Sequence, residues 1–179
     1  MATLTIEVTT RRMPHSTQFH RIVRAPEHLY YALLFSVDGA YAGPDPWLSW
    51  LGMGFGLALK EAPPAAREED KLSRSVHSTA RHTVITASSL NGGILGRLRE
   101  LLQAVEDVRR SVVGKGPEER VQAVTSSPDV SRLALDPVRE ALANAGLRQE
   151  EAQALEAQIQ RAFAALTDGD IASIDVKEG

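Results

Sequence analysis

The 179-residue sequence contains no cysteine. That excludes disulfide staples, thiolate metal sites and cysteine nucleophiles, and it fits a reducing compartment. Aromatic residues make up only 5% of the chain, so there is little from which to build a platform for stacking nucleic-acid bases. No apolar run is long enough to span a bilayer: the apolar, charge-free stretch Pro46 to Leu59 is too short to cross one as a helix. The opening MATLTIEVTTRR has no basic start followed by an apolar core, so it does not read as a secretory signal. Together these features give the expectation of a cytoplasmic, non-membrane protein. No internal repeat or low-complexity tract is present.

Charge is uneven. Residues 1–60 hold five Lys/Arg and four Asp/Glu, residues 61–116 nine and seven, and residues 117–179 six and twelve. The last third therefore carries a net −6, which suits solvation and argues against a phosphate grip there.

The element order predicts an α+β fold. Thr3–Thr10 alternates, with Leu4, Ile6 and Val8 on one side and Thr3, Thr5, Glu7 and Thr9 on the other, as in a half-buried strand. Thr17–Arg24 alternates again, with Phe19 and Val23 on one side and Ile22 on the other, and is expected to pair with it as an N-terminal hairpin, across the polar break at Pro14. Ala25-Pro26-Glu27 reads as a helix start running to about Ser36, because proline is tolerated in a first turn. A second, nearly all-apolar helix is expected after Asp45-Pro46. Residues 62–75, with two prolines and mixed charge, read as a loop or linker. Arg81–Ser88 is expected to be a strand, and Ile171–Lys177 a possible last one.

Two helices carry heptad-like seams. Ile94, Leu98, Leu101, Val105, Val108 and Val112 repeat at four and three; so do Ala152, Leu155, Ile159, Ala162 and Leu166. Shorter helices are expected at 117–125 and 137–144. The whole reads as one α+β domain: a small antiparallel sheet, formed by the N-terminal hairpin and one or two further strands, packed with several helices. Residues 117–166 form its helical C-terminal part.

Candidate chemistry is sparse. The turn Asn91-Gly92-Gly93, at the start of a long helix, could present backbone N–H groups to an anion. It lacks the first glycine of a dinucleotide fingerprint and any Walker lysine. His15 and His20, like His77 and His82, are five apart, which does not place two metal ligands on one helix face. Asp168-Gly169-Asp170 fails the calcium-loop pattern at its fifth, sixth and twelfth positions. No serine-nucleophile motif occurs. No cofactor is expected.

Arg11, Arg12, Arg21 and Arg24 form a basic cluster, but on a hairpin Arg21 and Arg24 would project from opposite faces, so nucleic acid is the weaker partner reading. Both tryptophans and all three tyrosines lie in the charge-poor stretch 29–59. These patterns lead to a non-enzymatic protein-interaction or assembly subunit, self-associating or part of a larger complex. Its contacts are expected from Trp47, Trp50, Met53 and Phe55 and from the seam residues Leu98, Leu101, Val105, Leu155 and Ile159. The alternative is a small enzyme or ligand-binding domain using the 91–96 turn.

Overall fold

A computed structural model describes residues 1–37, 70–144, 146 and 149–179. The fold is α+β, built on a four-stranded antiparallel sheet of order β2-β3-β1-β4. The strands are β1 (Ala2–Thr10), β2 (Ser73–Thr79), β3 (His82–Ser89) and β4 (Ile171–Glu178). The helices are α1 (Ser16–Val37), α2 (Gly92–Ser111), α3 (Pro117–Thr125), α4 (Asp136–Asn144) and α5 (Gln149–Leu166). A single turn, Pro128–Val130, and a π-helical stretch, Ser131–Leu135, lead without a break into α4. The start expected near 137 therefore lies further upstream.

β1 sits in the middle of the sheet. Ile6 stands opposite Ile85 of β3 and Val176 of β4. Leu4, Ile6, Val8, Ile85, Ala87 and Ile174 are all buried on one face. α2 packs on that face, α1 lies beside α2, and α4 and α5 pack on α1. The alternation expected for β1 is therefore the burial pattern observed, and its polar side (Thr3, Thr5, Glu7, Thr9) forms the other face of the sheet.

The N-terminal hairpin is not formed. Residues 17–24 belong to α1, which also runs straight through Pro26. The partners of β1 are β3 and β4. Phe19 and Val23, four apart, share a helix face as readily as a strand face. Ile22, Val23, Pro26, Leu29, Tyr30, Leu33 and Leu34 continue the 3.6-residue stripe and are buried. Pro26 leaves one carbonyl without its helical N–H, at a cost of about 3 kcal/mol, and the buried stripe outweighs it. His15 starts the helix: its Nδ1 accepts from the Gln18 N–H at 3.2 Å, as a capping side chain would.

The end of the expected 62–75 loop is also revised. Ser73–Ser75 lie in β2, a mostly exposed edge strand whose one large apolar residue is Val76. Residues 62–69 fall outside the described part, as do Trp47, Trp50, Met53 and Phe55.

Both seams close inside the chain. Leu98, Leu101, Val105 and Leu155 are 0% exposed and Ile159 is 2% exposed, all within one core cluster. None of these five side chains is presented at the surface for a partner.

Candidate functional site

An open groove of about 1700 Å³ runs over α5, with α1 as one wall and α3 as the other. α1 contributes Gln18, His20, Arg21, Arg24 and His28, with His15 just ahead of it. Because the segment is helical, Arg21, Arg24 and His28 fall at i, i+3 and i+7, and one face carries them all. The opposite faces expected for Arg21 and Arg24 on a hairpin do not exist. α3 contributes Arg120, Val121, Gln122 and Thr125, α4 contributes Arg139, and α5 contributes Ala157, Gln158, Gln160, Arg161 and Ala164.

The lining holds five arginines, and its two acids are Glu118 and Asp168. The Asp168 carboxylate is already engaged, accepting from Gln18 Nε2 at 3.0 Å. Of the arginines, Arg139 lies 3.9 Å from Asp136 and 4.0 Å from Glu156, and Arg24 lies 3.9 Å from Glu27. Arg120 donates to the Lys115 carbonyl, while its buried Nε finds no acceptor among the described residues. Arg21 and Arg161 are exposed and form no ion pair among the described residues.

His28 sits half-buried between α1 and α5. Burial, reinforced by Arg24, Arg74 and His20, pulls its pKa down to about 4. The ring is therefore neutral at neutral pH and accepts from the Gln158 amide, whose Nε2 lies 2.9 Å from Nδ1. The positive character of the groove comes from guanidinium groups, which stay charged at any ordinary pH.

Beyond the groove, Arg12 is neutralised: its Nε donates to Asp170 at 2.8 Å, and Gln18 bridges Asp170 and Asp168. The four sequence arginines therefore divide. Arg21 and Arg24 line the groove, Arg12 ties the β1–α1 loop to the α5–β4 turn, and Arg11 stands exposed beside it, with its backbone N–H on the Asp170 carbonyl.

The Asn91-Gly92-Gly93 turn does structural work. Asn91 Oδ1 caps α2 by accepting from the Ile94 N–H at 3.2 Å, and its Nδ2 donates to the Asp70 carboxylate at 3.0 Å. Tyr30 and Ser89 hydroxyls, 2.8 Å apart, complete the buried network. The turn already holds a carboxylate of its own chain, and a side chain at Gly92 would meet the Ala2 Cβ at 3.4 Å. His82 pairs with Glu7 at 3.7 Å on the polar sheet face. Among the described residues, no group of three His, Asp or Glu could hold a metal ion, and no helix is long and apolar enough to cross a membrane.

No protein family, curated protein or solved structure matches the chain.

The groove was hard to find from the sequence because its parts come from segments of opposite net charge. Arg120, Arg139 and Arg161 lie in the acidic third, whose net −6 concealed them. Only the packing of α3, α4 and α5 against α1 gathers them beside Arg21 and Arg24.

Proposed function

We propose that the protein is a non-enzymatic interaction subunit that docks an acidic segment of a partner protein in the groove over α5. The observation that carries this reading is the excess of guanidinium groups, with Arg21 on the α1 wall and Arg161 on the α5 floor exposed and without an ion pair among the described residues. Arginine suits bidentate contact with carboxylates. The groove exceeds the usual volume of small-molecule sites, roughly 300–1,000 Å³, and is open along its length, which favours a chain segment over a metabolite. Its glutamines offer amides to a peptide backbone, and its alanine-rich floor admits close approach. Among the described residues its lining contains no phenylalanine, tyrosine or tryptophan, so base stacking has little support, which ranks nucleic acid behind protein.

The test is fluorescence polarisation of the full chain with a labelled poly-glutamate peptide, beside a labelled oligonucleotide. The peptide should bind, with affinity falling as salt rises. Arg21→Glu with Arg161→Glu should weaken it at least about tenfold, or ~1.4 kcal/mol. Peptide binding unchanged by the double reversal, or none at all, overturns the proposal. Binding of the oligonucleotide alone would replace it with the nucleic-acid reading.

A further inference from the structure

The two outer strands of the sheet are finished differently. On β4, one guanidinium holds two backbone carbonyls: Arg109 donates from Nη1 to Ile171 at 3.0 Å and from Nη2 to Ala172 at 2.9 Å. The start of that edge is closed by a side chain.

On β2 the backbone direction follows from the register. The Arg81 carbonyl turns toward β1, accepting from the Thr10 N–H at 2.8 Å. Hydrogen-bonding sides alternate along a strand, so even-numbered residues of β3 bond to β2. Their partners are Ser73, Ser75, His77 and Thr79. Arg74, Val76 and Ser78 therefore aim their N–H and C=O groups away from the sheet. The Leu72 N–H, next in that row, is taken by the Tyr31 hydroxyl at 3.4 Å.

Edge strands are usually blunted by proline, lysine, a bulge or an outward charge. β2 has no proline or lysine, and its pairing with β3 runs without a register shift. Its one charged residue, Arg74, turns back to α1, donating to the Val23 carbonyl at 3.2 Å and pairing with Glu27 at 3.3 Å. Val76, at the centre, is 40% exposed.

We propose that β2 pairs antiparallel with β2 of a second copy of this chain, across a two-fold axis at Val76. The strand is complementary to itself in that register. Val76 meets Val76, Arg74 faces Ser78, Ser75 faces His77 and Ser73 faces Thr79, so no like charges stand directly opposite. The result is one continuous sheet through both copies, and the groove plays no part in it.

Light scattering over a concentration range tests this. The mass should rise toward twice the 19.4 kDa of one chain. Val76→Pro removes an outward N–H without touching the bonds to β3; it should leave the circular dichroism unchanged and hold the mass at one chain. Val76→Lys sets two like charges at the axis and should do the same. Because the chain has no cysteine, Val76→Cys provides a single thiol that should cross-link the pair on oxidation. A wild-type monomer at every concentration overturns the proposal. So does a dimer that survives both Val76→Pro and Val76→Lys. Arg21→Glu with Arg161→Glu should leave the mass unchanged, which separates this result from the groove.

Discussion

Glu106 and Arg109, one turn apart on α2, occupy the place of a fifth strand. Arg109 is bidentate to Glu106 at 2.6 and 2.8 Å and also donates to the Ile171 and Ala172 carbonyls. Glu106→Ala leaves a guanidinium buried without its counter-charge and should cost about 3–5 kcal/mol in urea unfolding. Arg109→Ala should cost a similar amount, and the double variant less than the sum. Arg110, exposed though also paired with Glu106, should matter far less when truncated, because water screens the pair on its side.

The same carboxylate contributes to acid sensitivity. Burial raises its pKa, but hydrogen bonds from Arg109 and Arg110 outweigh that and hold it below its usual 4.5. A group depressed on folding stabilises the native state above its unfolded pKa, and that contribution is lost as pH falls through the folded value. His28 acts higher in pH. With a folded pKa of about 4 against 6.5 unfolded, the unfolded chain takes up the proton first, so stability should fall as pH drops from 6.5 toward 4. His28→Gln should flatten the dependence of the melting temperature on pH in that window. An unchanged slope would show that His28 is not the group responsible.

Asn91→Ala should destabilise the chain by roughly 0.5–2 kcal/mol, the range for a lost capping side chain. It also strips the buried Asp70 carboxylate of a donor, so the upper half of that range is expected from chemical denaturation. Tyr30→Phe should cost less, because Ser89 retains the Asn91 N–H at 3.1 Å.

Leu101→Asp should abolish cooperative folding, since the side chain is 0% exposed and would bury an unpaired charge. Leu101→Ala should fold with a loss of about 2–5 kcal/mol. Because the seam closes within one chain, neither change should convert a folded oligomer into a folded monomer. That outcome would show the seam to lie between chains.

Where apolar spacing was regular and burial one-sided, the elements were legible: β1, β3, α2 and α5 follow their patterns closely, and β4 forms where expected although a register shift breaks its alternation. α1 was not, because a short run such as Thr17–Arg24 matches periods of two and 3.6 equally. Pro26 then looked like a beginning when it is an interior cost. β2 was missed for the opposite reason: an edge strand exposed on both sides carries no alternation, and SRSVHST offers a lone valine. The basic groove was half legible. Arg21 and Arg24 stood out as a cluster, but their common face required the helix, and their companions Arg120, Arg139 and Arg161 lie far along the chain in an acidic region.

The central position of β1 has a consequence for synthesis. β1, made before both of its partners, is hydrogen-bonded on one side by β3 and on the other by β4, and Lys177 reaches back to Glu7 across 170 residues at 2.9 Å. During translation one flank of β1 stays open until β4 emerges. Contacts so distant in sequence fold slowly, so the nascent chain passes through a long interval with an exposed strand flank. An unpaired strand flank invites mispairing, so the arrival of Ile171–Glu178 is the step that protects β1.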